Sequence, residues 1–283
     1  MVVAVLWGVT FTVTAEALAV LPPAYVVVLR FGLAALLLTM VTRGAPALPD
    51  GLRSRAVVLG SLLGGGFLLQ TWALQRTDAA MSGFLTGLLV VIAPVLDTVL
   101  FGRHARTVTW AAVGLALLGL AVLSIRTAGF GLGDLLTVGA AALWALHLVL
   151  LSRWSVPDYA ISLARTQTTT VAVLALTTVG VELAWHPAPA PLPMPLRAWL
   201  LVAFLAVLST AVPVVLLTWA QSRVDASRTA VLLTLEPAVA AMTAAFAGVT
   251  LDPRTVLGGL ILVAAMGLVA LGPEQPALPA EVR

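Results

Sequence analysis

Leu69-Gln70-Thr71-Trp72-Ala73-Leu74-Gln75-Arg76-Thr77-Asp78-Ala79 returns 147 positions later as Leu216-Leu217-Thr218-Trp219-Ala220-Gln221-Ser222-Arg223-Val224-Asp225-Ala226. Seven of these eleven pairs are identical, and shared apolar composition alone would not place Trp, Arg and Asp in the same order. Upstream, Leu6-Trp7 falls on Leu143-Trp144 and Pro23-Ala24-Tyr25 on Pro157-Asp158-Tyr159. Downstream, after a short gap, Pro94 is echoed by Pro237. The chain therefore repeats itself, and the content of one copy decides the fold.

That content is overwhelmingly apolar. Of 283 residues, 61% are hydrophobic and 10% charged, against roughly 45–50% and about 25% in a soluble domain. A mean hydropathy of +1.09 excludes a soluble enzyme, because 15 basic and 12 acidic residues cannot cover the surface of a chain this long. All the basic residues are Arg. They fall mainly in connections and form no stripe, so the pI near 10.5 does not indicate a nucleic-acid partner. Without cysteine, disulfides, thiolate metal sites and thiol nucleophiles are excluded.

A hydrocarbon layer about 30 Å thick takes roughly 20 helical residues to cross. Ten stretches reach that length: 2–20, 24–42, 56–75, 80–101, 108–125, 134–152, 158–182, 197–219, 226–248 and 255–272. They are continuously apolar, where barrel strands would alternate, so the predicted class is an all-α polytopic membrane protein. Pro22-Pro23, Pro46 to Asp50, Pro157-Asp158 and the five prolines from Pro187 to Pro195 supply the breaks. Residues 2–20 lack the basic start of a signal peptide and read as a first crossing.

Arginine counts give the orientation, since cytoplasmic connections are enriched in them. With the N-terminus inside, Arg43, Arg53, Arg55, Arg103, Arg106, Arg153, Arg223, Arg228 and Arg283 are cytoplasmic, and Arg76, Arg126, Arg197 and Arg254 are outside. Both termini are expected in the cytoplasm of a bacterial-type inner membrane. Residues 1–127 and 128–273 then form two five-helix repeats, followed by a tail over 274–283. An odd number of crossings turns the second copy upside down. Ten helices as two inverted repeats around a central cavity is a construction of secondary transporters.

Several stretches resemble the EamA-type carriers of the drug/metabolite transporter superfamily. They are Leu6-Trp7-Gly8 with Thr10-Phe11, Leu29-Arg30-Phe31, Ser82-Gly83-Phe84-Leu85-Thr86 leading to Pro94, and Leu235-Glu236-Pro237. The resemblance implies ten helices in two inverted repeats, a cavity lined from both halves, and export of amino acids, other metabolites or drugs. The chain departs from it at Gly102-Arg103 and Gly248-Val249, where the family commonly has Gly-Glu.

Glu236 lies about 15 Å into its stretch, near the midplane. An acid there faces a cavity or a partner, and Pro237 beside it frees a carbonyl one turn back. The alternative is a protonated packing residue. His147, some 20 Å into its stretch, is a candidate relay partner of Glu236 or a hydrogen-bonded core histidine. Arg30 and Arg165 lie about 9 and about 10 Å from opposite faces. Each could guide a carboxylate, or snorkel, with Glu16 as a possible partner of Arg30. Trp7, Trp72, Trp144 and Trp219 are candidates for a cavity wall or for interface anchors, and Pro94 and Pro237 for helix breaks at the site. Asp78 and Asp225 read as helix caps, Asp97 as a snorkelling or paired acid, and Gly60, Gly64, Gly83 and Gly87 as close-approach points.

The expected function is secondary transport of a small organic solute, with protons as candidate coupling ion and no cofactor. A membrane enzyme acting on a lipid-linked substrate is the rival. Asp-Asp-x-x-Asp, His-Glu-x-x-His and Gly-x-Ser-x-Gly are all absent, as is the Gly-x-x-x-x-Gly-Lys-Ser/Thr of ATP-driven pumps.

Overall fold

Proline and short acids start the helices where the sequence places its breaks. Helix α1 (Val2–Leu18) ends before Pro22, and Pro23 occupies the first turn of α2 (Pro23–Val41), where its missing N–H costs nothing. Pro49 precedes α3 (Asp50–Ala73), with Asp50 in the first turn. This helix starts six residues before the expected 56, so Arg53 and Arg55 sit on its first turns and not in a connection. Asp78 caps α4 (Ala79–Thr86), its carboxylate accepting from the Met81 N–H at 2.7 Å. Gly102, left-handed at φ 67°, terminates α5 (Leu89–Phe101), the usual use of glycine after a helix. The computed structural model describes residues 2–102, 107–124, 130–185, 194–222, 233 and 236–270.

The chain continues through α6 (Thr107–Ser124), α7 (Leu132–Trp154), a 3₁₀ turn (Pro157–Tyr159) and α8 (Ala160–Trp185). It goes on through α9 (Leu196–Ala206), a π-helical segment (Val207–Ala211), α10 (Val212–Gln221), α11 (Glu236–Phe246) and α12 (Pro253–Ala270). Every described regular element is helical, and each of the ten apolar stretches contains helix. Five unbroken or nearly unbroken runs are long and apolar enough to cross a bilayer: Pro23–Val41, Asp50–Ala73, Ala79–Phe101, Leu132–Trp154 and Leu196–Gln221. Val2–Leu18, Trp110–Gly119 and Pro253–Leu268 are shorter apolar helices. Large side chains such as Val41, Val99, Leu117, Leu200 and Phe246 face outward, a surface suited to lipid and not to water.

Two stretches differ from uninterrupted helix. The fourth turns tightly at Gly87-Leu88, where Leu88 donates to Leu85 O, while Pro94 sits inside α5. The eighth widens over 207–211, and Thr210 Oγ1 reaches back five residues to Leu205 O at 2.8 Å.

Packing crosses between the halves. Helix α3 lies against α7 and α8, α1 against α9, α10 and α11, α2 against α8 and α9, α4 against α11, and α6 against α12. Glycine permits the closest crossings. A Cβ on Gly60 would collide with Thr170 and the Gln167 backbone, one on Gly83 with Ala240, and one on Gly87 with Met266 and Pro237. Asp134 is buried at the start of α7, accepting from Gly131 N at 2.9 Å and from Thr77 Oγ1 at 2.6 Å. It thereby fixes that helix to the α3–α4 turn.

Several expectations fall outside the described residues: Arg103, Arg106, Arg126, Arg223, Arg228 and Arg283 of the orientation count, Asp225 as a cap, Leu235, the prolines 187–193, the boundary at 127 and the tail over 274–283.

Candidate functional site

A cavity lies among helices of both halves, its empty space about 510 Å³ with the open solvent at its mouth included. Trp7, Thr10 and Phe11 line it from α1, Leu63, Phe67 and Gln70 from α3, and Thr86 and Leu89 from either side of the fourth-stretch turn. The second half contributes Trp144, His147 and Leu148 from α7, Leu217 from α10, Leu233, and Glu236 at the start of α11.

Much of this lining occupies matching positions of the sequence repeat. Trp7, Thr10 and Phe11 correspond to Trp144, His147 and Leu148, and Gln70 to Leu217. The two tryptophans are anchored alike. Trp7 Nε1 donates to Ser209 O and Trp144 Nε1 to Leu63 O, both at 3.2 Å. Each indole N–H is thus consumed by a neighbouring helix. Phe67 stands edge-on to Trp144 with centroids 5.0 Å apart.

The polar groups do not repeat. Gln70 Nε2 donates to Thr86 Oγ1 at 3.2 Å. His147 Nε2 lies 2.7 Å from Gln167 Oε1. Gln167 turns its amide nitrogen to Leu163 O and Thr218 Oγ1, which leaves its oxygen to accept from the histidine. Glu236 is 6% exposed, and its carboxyl meets no hydrogen-bond or ion-pair partner among the described residues. Burying a carboxylate without a partner is costly, so this group holds a proton or waits for a cation.

Of the side chains singled out in the sequence, Trp7, Trp144, His147 and Glu236 come together here. Arg30 does not line the cavity. Its Nε donates to Thr210 Oγ1 at 2.5 Å and its Nη2 to Ser209 O at 2.7 Å. Its guanidinium lies over the Phe67 ring, 4.5 Å from the centroid, so it stacks behind the cavity wall. Neither outward snorkelling nor a pair with Glu16 describes it, because the π segment offers nearer acceptors and Glu16 bonds Arg197 at 2.8 Å. Arg165 donates to Thr42 O at 3.1 Å, away from the lining. Trp72 and Trp219 are also outside it, the latter 49% exposed. Pro94 is half-buried in α5, and Pro237 packs near Gly87. Asp97 pairs with Arg153.

Gln70, Phe67 and Gln167 carry no functional expectation from the sequence, and Phe11 and Thr86 enter there only within motifs. The available signal was a polar side chain inside an apolar stretch, which Gln70 and Gln167 both present.

A model of the EamA-like transporter family matches residues 1–125 and 131–271. A protein of Archaeoglobus fulgidus named as an uncharacterized transporter is 28% identical over 275 residues, covering 95% of this chain and 83% of its own length. A solved crystal structure superposes with a TM-score of 0.68 at 19% identity, covering 95% of this chain and 94% of that one. This likeness concerns the fold.

Proposed function

The chain belongs to the EamA-like transporter family, and from that premise we propose that it is a secondary carrier that moves a small amphipathic organic solute through the cavity at Glu236 by alternating access. It is a multi-pass membrane protein with a transporter role. Ten crossings arranged as two inverted repeats, 1–127 and 128–273, form the moving parts. The packing pattern supports this reading. Exchanging the halves turns α3 on α7 into the eighth stretch on α1, and α1 on α11 into the fourth stretch on α7, and all these pairs are in contact. The pairs α2 on α8, α4 on α11 and α6 on α12 map onto themselves.

The observation that carries the proposal is the cavity itself, lined from equivalent positions of both halves around one buried carboxyl that has no partner among the described residues. Halves that can exchange conformations expose such a centre first to one face and then to the other. A proton and the solute compete for the Glu236 carboxyl, which couples their movements. His147 is the other titratable side chain in the described lining, and its bond to Gln167 makes it a wall residue. Both termini lie in the cytoplasm of an inner membrane, and net transport is export driven by the proton gradient.

Purified protein in liposomes tests this. Saturable exchange of a radiolabelled organic solute, accelerated from the trans side, is expected. Flux that rises linearly with concentration and ignores trans solute identifies a pore, and conversion of a lipid-linked substrate identifies an enzyme.

A further inference from the structure

Most hydrogen-bond donors of the described cavity wall are already engaged. Trp7 and Trp144 spend their indole N–H groups on Ser209 O and Leu63 O. Thr10 Oγ1 donates to Leu6 O at 2.8 Å, Gln70 gives an amide hydrogen to Thr86, and His147 is engaged by Gln167. What remains in the described lining is the carboxyl of Glu236, the faces and edges of four aromatic rings, Trp7, Phe11, Phe67 and Trp144, and two neutral donors, the Thr86 hydroxyl and the second amide hydrogen of Gln70. No basic side chain is among the described lining. Arg30 and Arg165 are committed elsewhere, Arg30 to the π segment and Arg165 to Thr42 O.

A carboxylate entering this space would lose its hydration and meet Glu236 with no basic group, only two neutral donors, to compensate. An ammonium group would gain the ion pair that Glu236 lacks, together with the negative faces of the rings. We propose that the cavity selects monovalent organic cations, an ammonium head on an aromatic or bulky apolar body, and rejects solutes that carry a carboxylate, amino acids included. This rests on the carrier reading for the word transport, while the selectivity itself is a property of the cavity.

Three ligands with the same phenyl ring and two-carbon arm separate the possibilities: N,N,N-trimethyl-2-phenylethylammonium, L-phenylalanine and 3-phenylpropionate. Their binding to the purified full chain is measured by isothermal titration calorimetry. The quaternary cation is expected to bind roughly 10- to 100-fold more tightly than either carboxylate, the range for a buried charged partner. In Glu236→Gln that preference is expected to vanish. The proposal is overturned if phenylalanine or phenylpropionate binds as well as the cation, if none of the three binds, or if the preference survives in Glu236→Gln. The order of the three ligands on the unaltered protein decides the matter even where the variant does not fold. Counterflow of the labelled cation in liposomes separates the two claims. Tight binding without counterflow overturns the carrier and keeps the selectivity, whereas saturable counterflow of phenylalanine with no cation preference does the reverse.

Discussion

The indole of Trp7 and the indole of Trp144 make the same bond, one repeat apart, yet the helices that receive them differ. Trp144 meets Leu63 O on the straight, glycine-rich α3, where a Cβ on Gly66 would collide with the indole. Trp7 meets Ser209 O on the π segment, and the same carbonyl also accepts from Arg30. The frame is shared, and what surrounds it differs. The first half has an unbroken α-helix at this place, and the second a widened turn held by the buried Arg30. The same contrast holds inside the cavity, where Gln70 has Leu217 at its repeat position and Thr10 has His147. Polar chemistry is therefore the asymmetric part of a symmetric wall.

The largest expected effect comes from removing the sharpest asymmetry. Glu236→Gln keeps the shape of the protonated acid, the form from which the proton has displaced the solute, so a folded variant should lose solute exchange together with all response to a pH gradient. Full activity with unchanged pH dependence in proteoliposomes would reduce Glu236 to a packing residue.

Next is the arginine pair. Arg30→Gln removes two bonds to the π segment and the stack on Phe67, and should destabilise by about 2–3 kcal/mol, the range for hydrogen bonds to a buried charge. Arg165→Gln loses one bond to Thr42 O from a half-buried site and should cost less than about 0.5 kcal/mol. Thermal unfolding in one detergent compares them, and equal losses would erase the distinction drawn between the two arginines.

The crossing of the halves gives a smaller effect. Gly83→Ala forces α4 away from Ala240 and should cost roughly 1–3 kcal/mol by overpacking. Gly114→Ala, with nothing within 4 Å of its Cβ, should be neutral or slightly stabilising by the same thermal measurement. The smallest effect sharpens the opening comparison itself. Trp7→Phe and Trp144→Phe each delete one hydrogen bond of about 1 kcal/mol, and the repeat predicts equal losses. A gap above about 1 kcal/mol would mean that the π segment has changed how the anchor works.

The sequence carries an expectation of depth and none of direction. Counting residues along a helix gives Glu236 an expected place near mid-membrane and Arg30 one within a single leaflet, because the rise per residue is fixed. Which way a side chain points depends on packing, and helices that are apolar all round carry no stripe to tell lipid from interior. For that reason Trp7 and Trp144 could not be separated from Trp72 and Trp219, although all four repeat. Pro213, lacking an N–H, frees Ser209 O four residues back, but that this carbonyl and Thr210 lie beside Arg30 depends on packing, which the sequence does not give. Asp78 was legible as a cap because capping is local, requiring only a short acid three residues before Met81 N. The break at Gly87-Leu88 was not, since Pro94 drew attention to the following turn.

The central claim is that one cavity between the halves opens to each face in turn, and the absence of native cysteine makes it directly measurable. In Thr10→Cys, a near-isosteric change at a buried lining position, a membrane-impermeant thiol reagent is applied to one face or the other of sealed vesicles. The account predicts labelling from either face, with transport lost in proportion to the labelled fraction. Labelling from one face only, under solute gradients of both directions, or complete labelling with transport intact, would contradict it.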